Sequence, residues 1–231
     1  MSIRENIEAI RAEIDAAAQE TGRTGADITL VGASKMNDAA ACQEAIAAGI
    51  DALGENRVQE MTAKLAEDAY RGAPLHFIGH LQRNKVKQVV GKVDLIQSIG
   101  SLELLAEVDK QARKLGIVQD ILLEVNIGGE AAKSGFAPED VENAAAQAKE
   151  MTGVRVRGLM TIPPADVRRE ENVVYFQKVK ALYVDINKKM YDNGLEYLSM
   201  GMSGDFADAI RAGANMVRVG TAIFGARDYS K

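Results

Sequence analysis

The first stretch of the chain carries apolar residues at the spacing of an amphipathic helix. Ile3, Ile7, Ile10 and Ile14 recur at intervals of three or four positions, and charged residues lie between them. Such a stripe occupies one face of an α-helix, and the charges occupy the opposite face. The pattern predicts an N-terminal helix that ends near Thr21.

Short apolar runs follow, and segments with helical spacing separate them. Runs of this kind are typical of strands that are covered on both faces, as in a parallel sheet. The predicted strands are 28–35, 50–54, 75–79, 93–98, 120–126, 155–160, 195–200 and 215–219. The predicted helices between them are 39–48, 55–68, 84–90, 102–115, 138–151, 170–190 and 206–211.

The alternation of strands and helices predicts the fold. A helical crossover between consecutive strands makes them parallel, and eight such units can close into a barrel. No linker rich in proline, glycine or serine divides the chain. We therefore predict one α/β domain over residues 1–231, a single (β/α)8 TIM-type barrel with an extra N-terminal helix. An open, doubly wound sheet is the alternative, because a strand count from one sequence is uncertain by about one or two.

Lys35 lies at the end of the first predicted strand, where an apolar run stops at a cation. Sheets with helical crossovers bind their ligands at the carboxyl ends of the strands. Partial desolvation there disfavours an ammonium group and makes a neutral amine available for a Schiff base with an aldehyde or ketone. The alternative is a solvated lysine that opens the next loop, and Lys35 alone does not distinguish the two.

Two loops of small residues follow the last two predicted strands. The first loop, 201–205, contains Ser203, and the second contains Gly220 and Thr221. Small residues let backbone N–H groups approach an anion, and the Ser203 hydroxyl can add a hydrogen bond. Barrels of this class frequently bind phosphate after strands seven and eight. Each loop alone is compatible with an ordinary turn, but the two together favour a phosphorylated ligand.

Other polar residues lie inside or just after the predicted strands. Arg218 interrupts an apolar strand, where a charge is costly unless it is paired, bound to a ligand or turned outward to a surface carboxylate. Asn56 follows the second strand and either contacts a ligand or caps the next helix. Ser199 and Lys133 lie on the same rim, although a core hydroxyl and a solvated loop are the simpler interpretations.

Composition and charge exclude several classes of function. With 47% hydrophobic residues the 231-residue chain can form a large core, and Cys42 is its single cysteine. The net charge of −5 gives no electrostatic reason to expect nucleic acid or an anionic membrane. No stretch is typical of a signal sequence or a membrane span. His76 and His80 offer no common zinc spacing with Cys42, so we expect a cytoplasmic protein without a metal.

Dispersed motifs extend this interpretation. They are Ala33-Ser34-Lys35, Gly54-Glu55-Asn56-Arg57-Val58-Gln59-Glu60, His76-Phe77-Ile78-Gly79, Leu198-Ser199-Met200-Gly201-Met202-Ser203 and Val217-Arg218-Val219-Gly220-Thr221-Ala222. Together they resemble the pyridoxal phosphate homeostasis protein family, and the resemblance covers essentially the whole chain. It implies an alanine-racemase-type barrel, which agrees with the predicted strands.

The resemblance also implies roles for individual residues. Lys35 is expected to form a Schiff base with pyridoxal 5'-phosphate (PLP), and Arg218 is expected to face the pyridine nitrogen of this cofactor. The residues that match the phosphate contacts of the family are Ser203, Gly220 and Thr221.

Other positions match the family less completely. Asn56 and Ser199 lie in matching motifs, but the resemblance gives them no definite role. Leu53 stands where the family often has an aromatic residue, and Met36 and Asn37 stand where it often has threonine and lysine. These departures concern the detail of the pocket rather than the Schiff base.

Arg218 favours a PLP binder over a catalyst. Arginine stays protonated, so it cannot hand a proton to the pyridine nitrogen, and the ring becomes a poorer electron sink. The resemblance implies that related racemases complete their site with an additional β domain, for which the chain leaves no room after its last predicted strand. We therefore expect a non-catalytic, monomeric protein that binds, buffers or delivers PLP and so influences amino-acid and keto-acid balance.

Two enzymatic alternatives remain open from the sequence. A weak PLP-dependent amino-acid racemase would use a base from within the barrel. A Schiff-base aldolase acting on a phosphosugar would share the lysine and the phosphate loops, but it would not need Arg218 beside a ring. For the PLP binder, PLP-dependent apo-enzymes are candidate partners.

Overall fold

A computed structural model, which describes residues 2–130 and 133–225, shows a closed barrel of eight parallel strands. The strands pair in the order of the sequence, and the last strand pairs with the first, with Leu30 opposite Val217. This closure confirms the predicted (β/α)8 barrel, and the open sheet was wrong.

The bounds of the elements follow the predicted alternation closely. The strands are β1 (Thr29–Ala33), β2 (Ala52–Glu55), β3 (Leu75–Phe77), β4 (Leu95–Ile99), β5 (Gln119–Val125), β6 (Val154–Thr161), β7 (Tyr197–Ser199) and β8 (Met216–Val219). The helices are α1 (Ile3–Gln19), α2 (Ala39–Ala47), α3 (Val58–Ala66), α4 (Leu102–Leu115), α5 (Val141–Lys149), α6 (Arg169–Met190), α7 (Phe206–Arg211) and α8 (Thr221–Phe224). Within the described residues, none of these helices combines the length and the apolar character that crossing a membrane requires.

Helix α1 is the predicted extra N-terminal helix. Ser2 caps it, since the Ser2 side chain accepts the N–H of Glu5 and the Glu5 carboxylate accepts the N–H of Ser2. Ile7, Ile10 and Ile14 are buried, as their spacing predicts. The helix packs against α2, α7 and α8, which are the helices that flank β1 and β8.

Two connections differ from the predicted helices. The predicted helix over 84–90 is a 3-10 helix, Arg83–Gln88, in which Val86 is the buried residue. Helix α8 follows the last strand and was not predicted, because four residues are too few for an apolar period to show.

The interior of the barrel contains both apolar and polar side chains. Its apolar residues form a small cluster, separate from the larger core between the strands and the helices: Val31, Ala52, Leu95, Leu122, Met160 and Met216. His76, Gln97, Ser199 and Arg218 are buried polar residues on the strands of the same barrel. Buried polar groups are costly without partners, so their hydrogen bonds decide what this interior can do.

Candidate functional site

The predicted site residues lie at the carboxyl ends of four neighbouring strands. Ser203 follows β7, Gly220 and Thr221 follow β8, Lys35 follows β1, and Asn56 follows β2. These strands are consecutive in the closed barrel, because β8 pairs with both β7 and β1. Residues that are far apart in the sequence therefore meet on one rim.

The side-chain oxygen of Ser203 links the loop after β7 to the loop after β8 through hydrogen bonds. The backbone N–H of Gly220 donates to the Ser203 Oγ at 3.2 Å, and the N–H of Ala222 donates to it at 3.5 Å. The Thr221 hydroxyl lies 3.4 Å from the same oxygen. Amide and hydroxyl groups that point toward one small volume form an anion-binding concavity. The two loops thus supply the donors that a phosphate group needs.

Asn56 has a buried polar atom without a protein partner. Its Oδ1 forms no hydrogen bond in the part of the chain that the structure describes. Arg57 is the N-cap residue of α3, so the alternative that Asn56 caps this helix was wrong. Asn56 lines a cavity of about 590 Å³ at the carboxyl end of the barrel. An unsatisfied acceptor in a cavity fits a ligand that donates a hydrogen bond.

Glu124 and Lys133 line the same cavity. Glu124 is 7% exposed, and the Ser134 hydroxyl donates to its carboxylate at 3.1 Å. Burial raises the pKa of Glu124, although the Ser134 hydrogen bond and the charge of Arg218 act in the opposite direction. Lys133 forms an ion pair with Glu130 at 2.6 Å, so this rim lysine is paired rather than simply solvated.

Arg218 points into the barrel, and an outward position toward a surface carboxylate was wrong. It is 3% exposed, and its guanidinium donates to the Ser199 Oγ and, at 2.8 Å, to the carbonyl oxygen of Thr161. Both of these partners are uncharged. Burial lowers the pKa of Arg218 to about 10, although Asp205 and Glu124 act in the opposite direction. Arg218 is therefore a protonated cation at neutral pH.

A chain of hydrogen bonds leads from Arg218 across the barrel. Arginine can only donate, so the Ser199 oxygen accepts, and the Ser199 hydroxyl donates to the Gln97 Oε1 at 2.7 Å. The Gln97 amide nitrogen then lies 3.0 Å from the His76 Nδ1, which makes this ring nitrogen the acceptor. His76 also lines a cavity of about 330 Å³ at the opposite, N-terminal end of the barrel.

Comparisons with known proteins match the chain over nearly its full length. The family of the alanine racemase N-terminal domain matches residues 4–228. A pyridoxal phosphate homeostasis protein of Aquifex aeolicus is 41% identical over 99% of this chain and 100% of its own length. One of Pseudomonas aeruginosa is 42% identical over 99% of this chain and 97% of its own length. The chain belongs to the pyridoxal phosphate homeostasis protein family.

Solved structures agree with this assignment. PipY of Synechococcus elongatus without PLP is 33% identical, with a TM-score of 0.87, and PipY with PLP bound is 32% identical, with a TM-score of 0.84. Both cover 97% of this chain and 100% of PipY. An alanine racemase of Clostridium difficile, 19% identical over 98% of this chain and 57% of its own, shares the barrel fold with a TM-score of 0.72. The resemblance seen in the sequence is confirmed, and the curated relatives are named as homeostasis proteins rather than as enzymes.

Sequence reasoning missed part of the polar interior of this family member. It assigned no role to Gln97 or Thr161, and it considered His76 as a candidate for metal or cysteine-histidine chemistry and as part of a family motif, but not as a member of this interior. The signal that singled out Arg218, a polar residue inside an apolar strand, is also present at Gln97 in β4. No sequence pattern indicates that these residues contact one another, because their contact depends on closure of the barrel.

Burial of His76 predicts a specific pH dependence of stability. It lowers the pKa of His76 from 6.5 to about 4, although Asp94 acts in the opposite direction. Between pH 6.5 and about pH 4, His76 binds a proton in the unfolded chain but stays neutral in the folded protein. Protonation therefore favours the unfolded chain in this range. The free energy of unfolding is unaffected by His76 above pH 6.5 and falls as the pH decreases toward 4. At pH 5 we expect His76 to lower the free energy of unfolding by about 2 kcal/mol relative to neutral pH.

Urea unfolding at pH 7 and pH 5 measures this effect. Between pH 7 and pH 5, the free energy of unfolding of the His76→Gln variant is expected to fall by about 2 kcal/mol less than that of the wild type. His80→Gln is the matched control, because His80 is exposed and is the second of the two histidines in the chain. An equal pH dependence in wild type and His76→Gln would contradict the prediction.

Proposed function

We propose that this protein binds PLP as a Schiff base on Lys35 and holds the cofactor for buffering or delivery rather than for catalysis. The observation that carries the proposal is the convergence of hydrogen-bond donors on Ser203, on the same rim as the strand end that holds Lys35. The PLP-bound structure of PipY supports the choice of cofactor. Homeostasis, the function named for the relatives, supports the non-catalytic role.

The residues of the chain divide the recognition of the cofactor among neighbouring strand ends. The loops around Ser203 hold the phosphate, and Lys35 provides the amine for the covalent bond. Arg218 would present its guanidinium to the pyridine nitrogen, and the Ser199 hydroxyl and the Thr161 carbonyl fix the direction of that guanidinium. When bound, PLP supplies the aldehyde that a lysine amine can attack.

The charge of Arg218 supports binding over catalysis. Even with its pKa lowered to about 10, this guanidinium keeps its proton at neutral pH. A hydrogen bond from Arg218 would hold the ring nitrogen without protonating it, so the ring would withdraw electrons less strongly than a protonated pyridine. Such a site retains the cofactor but activates a bound amino acid poorly.

A weak amino-acid racemase is the second candidate, and Glu124 is the observation that favours it. This buried carboxyl group lines the cavity beside Asn56, and its raised pKa is a property of many general acids and bases. A racemase would exchange the α-hydrogen of an amino acid with deuterium from the solvent. The homeostasis function predicts no such exchange above that of free PLP.

Borohydride reduction followed by peptide mapping tests the proposal. After incubation with PLP we expect one trapped adduct, on the peptide that contains Lys35. The Lys110→Ala variant is a suitable control, because Lys110 lies on α4 and is exposed, and it is expected to give the same adduct. A colourless protein, or an adduct on another lysine, would overturn the proposal. Trapping of a phosphosugar in place of PLP would favour an aldolase.

The wider biological role belongs to the same proposal. We infer that the protein acts as one monomeric barrel domain over residues 1–231 in the cytoplasm and that PLP-dependent apo-enzymes receive its cofactor. Control of free PLP in this way would influence amino-acid and keto-acid balance. The full-length match to the curated relatives supports a single domain.

A further inference from the structure

Three charged side chains hold the backbone next to Lys35; we call Glu55, Glu60 and Lys64 the Lys35 clamp. The Lys64 ammonium donates to the carbonyl oxygen of Ser34 at 2.7 Å. It also donates to the Oε1 of Glu55 at 2.7 Å and to the Oε1 of Glu60 at 2.8 Å. These three acceptors match the three hydrogens of a lysine ammonium. Lys64 therefore ties the residue before Lys35 to two carboxylates.

The two carboxylates hold backbone and side chain on both sides of Lys35. The Ser34 hydroxyl donates to the Glu55 Oε1 at 2.6 Å, and the backbone N–H of Met36 donates to the Glu60 Oε1. Met36 has a φ of +63°, a left-handed conformation that costs energy for a residue other than glycine. The clamp thus holds the turn in a conformation that its sequence does not favour.

The clamp is buried, and burial makes it an expensive way to stabilise a fold. Glu55 is 0% exposed and Lys64 is 6% exposed, and the Tyr70 hydroxyl donates to the Glu55 Oε1 at 3.0 Å. Burial disfavours the Lys64 ammonium, but Glu55 and Glu60 outweigh it and raise the pKa of Lys64. Because desolvation offsets the attraction in a buried ion pair, apolar side chains of similar volume often stabilise such a position at least as well. The charges are better explained by the hydrogen bonds with which they hold Ser34 and Met36, the two neighbours of Lys35.

We propose that the Lys35 clamp positions the neutral Lys35 amine for condensation with the cofactor aldehyde, in which a C=N bond replaces the C=O bond and the oxygen leaves as water with the two amine hydrogens; this inference rests on the proposed function of Lys35. By holding Ser34 and Met36, the clamp fixes the direction in which the Lys35 side chain leaves the end of β1. Displacement of a reacting group by about 1 Å can cost about 100-fold in rate. The clamp residues act through the backbone, so they are positioning residues rather than catalytic ones.

Two variants disrupt different parts of the clamp without leaving a fully buried charge unpaired. Glu60→Ala releases the backbone N–H that follows Lys35, and the Glu60 side chain is 19% exposed, so folding is expected to continue. The paired replacement Glu55→Gln with Lys64→Met removes both buried charges together. Arg113→Met is the matched control, because it breaks a helix ion pair of the same i,i+4 spacing, with a buried carboxylate, on α4.

Comparing two ligands distinguishes a loss of Lys35 positioning in the clamp variants from a general loss of structure. Pyridoxine 5'-phosphate has the ring and phosphate of PLP but carries an alcohol in place of the aldehyde. We expect both clamp variants to form the borohydride-trapped PLP adduct at least about 10-fold more slowly than wild type. Their affinity for pyridoxine 5'-phosphate should stay within about 2-fold of wild type, and Arg113→Met should match wild type for both ligands.

A conservative replacement provides a rescue test. Glu60→Gln keeps a side-chain oxygen that can accept the Met36 N–H, so it is expected to recover most of the rate that Glu60→Ala loses. Clamp variants that trap PLP at the wild-type rate would overturn the positioning role. Equal losses for both ligands would also overturn it, since they would indicate a purely structural role. A wild-type protein that traps no adduct would instead overturn the function of Lys35 itself.

Discussion

Replacing Lys35 with alanine is expected to lower the affinity for PLP on the order of 100-fold, which corresponds to about 2.7 kcal/mol. The variant cannot form the covalent bond, but the donors around Ser203 and the Arg218 guanidinium stay in place. Its remaining affinity should therefore come from the phosphate and the ring alone. Equilibrium titration with PLP and with pyridoxine 5'-phosphate measures this, and the variant should bind the two compounds about equally.

Lys110→Ala provides the control for this titration. It removes a lysine of similar chemistry from the exposed face of α4, where the side chain forms only a weak pair with Glu107 at 3.5 Å. We expect it to bind PLP as wild type does and to prefer PLP strongly over pyridoxine 5'-phosphate. If Lys35→Ala kept the same preference, a different lysine would have to carry the Schiff base.

The barrel could be predicted from the sequence because its signals are local. Each strand is a short apolar run, and most crossovers are long enough for a helical stripe, as in α4 with Leu104, Val108 and Ala112 on its buried face. Parallel pairing and closure then follow from general rules of connection. The segment 84–90 was predicted as a helix but not as a 3-10 helix, because a six-residue turn with Val86 as its buried residue is too short to show which helical period applies.

The rim positions were predictable for a similar reason, whereas the interior contacts were not. Lys35, Ser203 and Gly220 follow strands, so the carboxyl end of the barrel brings their positions together. The series of hydrogen bonds from Arg218 to His76 depends instead on which side chains of distant strands face the barrel interior at the same height along its axis. The pairing register of the closed barrel sets this level, and near-continuous apolar strands lack the alternation of apolar and polar residues that would indicate a register.

The Lys35 clamp shows a second limit of sequence reasoning. Lys64 occupies a position in α3 where a lysine normally indicates a solvated helix face. In the structure it is buried, because Glu55 at the end of β2 and the Ser34 carbonyl after β1 lie beneath it. A charge in an amphipathic helix therefore gives no sign of its burial when the partners come from other elements.

Replacing Arg218 with methionine is expected to stabilise the cofactor-free protein and to weaken its cofactor binding. Arg218 is fully buried, but its direct partners, the Ser199 hydroxyl and the Thr161 carbonyl, carry no charge to offset its desolvation. A methionine removes that cost, and we expect a gain of about 1 to 2 kcal/mol in the free energy of unfolding. Thermal unfolding should show a rise of about 2–4 °C per kcal/mol for a chain of this size.

The affinity for PLP should fall about 10-fold in the same variant, because a charge-assisted hydrogen bond to the ring is lost. Arg157→Met is the matched control: Arg157 lies on β6, two strands from β8, and pairs with the carboxylates of Asp120 and Glu196. This control should lower the melting temperature and leave the PLP affinity unchanged. If Arg157→Met lowers the melting temperature and Arg218→Met raises it, then Arg157 stabilises the fold, whereas Arg218 contributes to ligand binding at the expense of stability. A melting temperature lowered equally in both variants would contradict that division, since it would make Arg218 a structural residue.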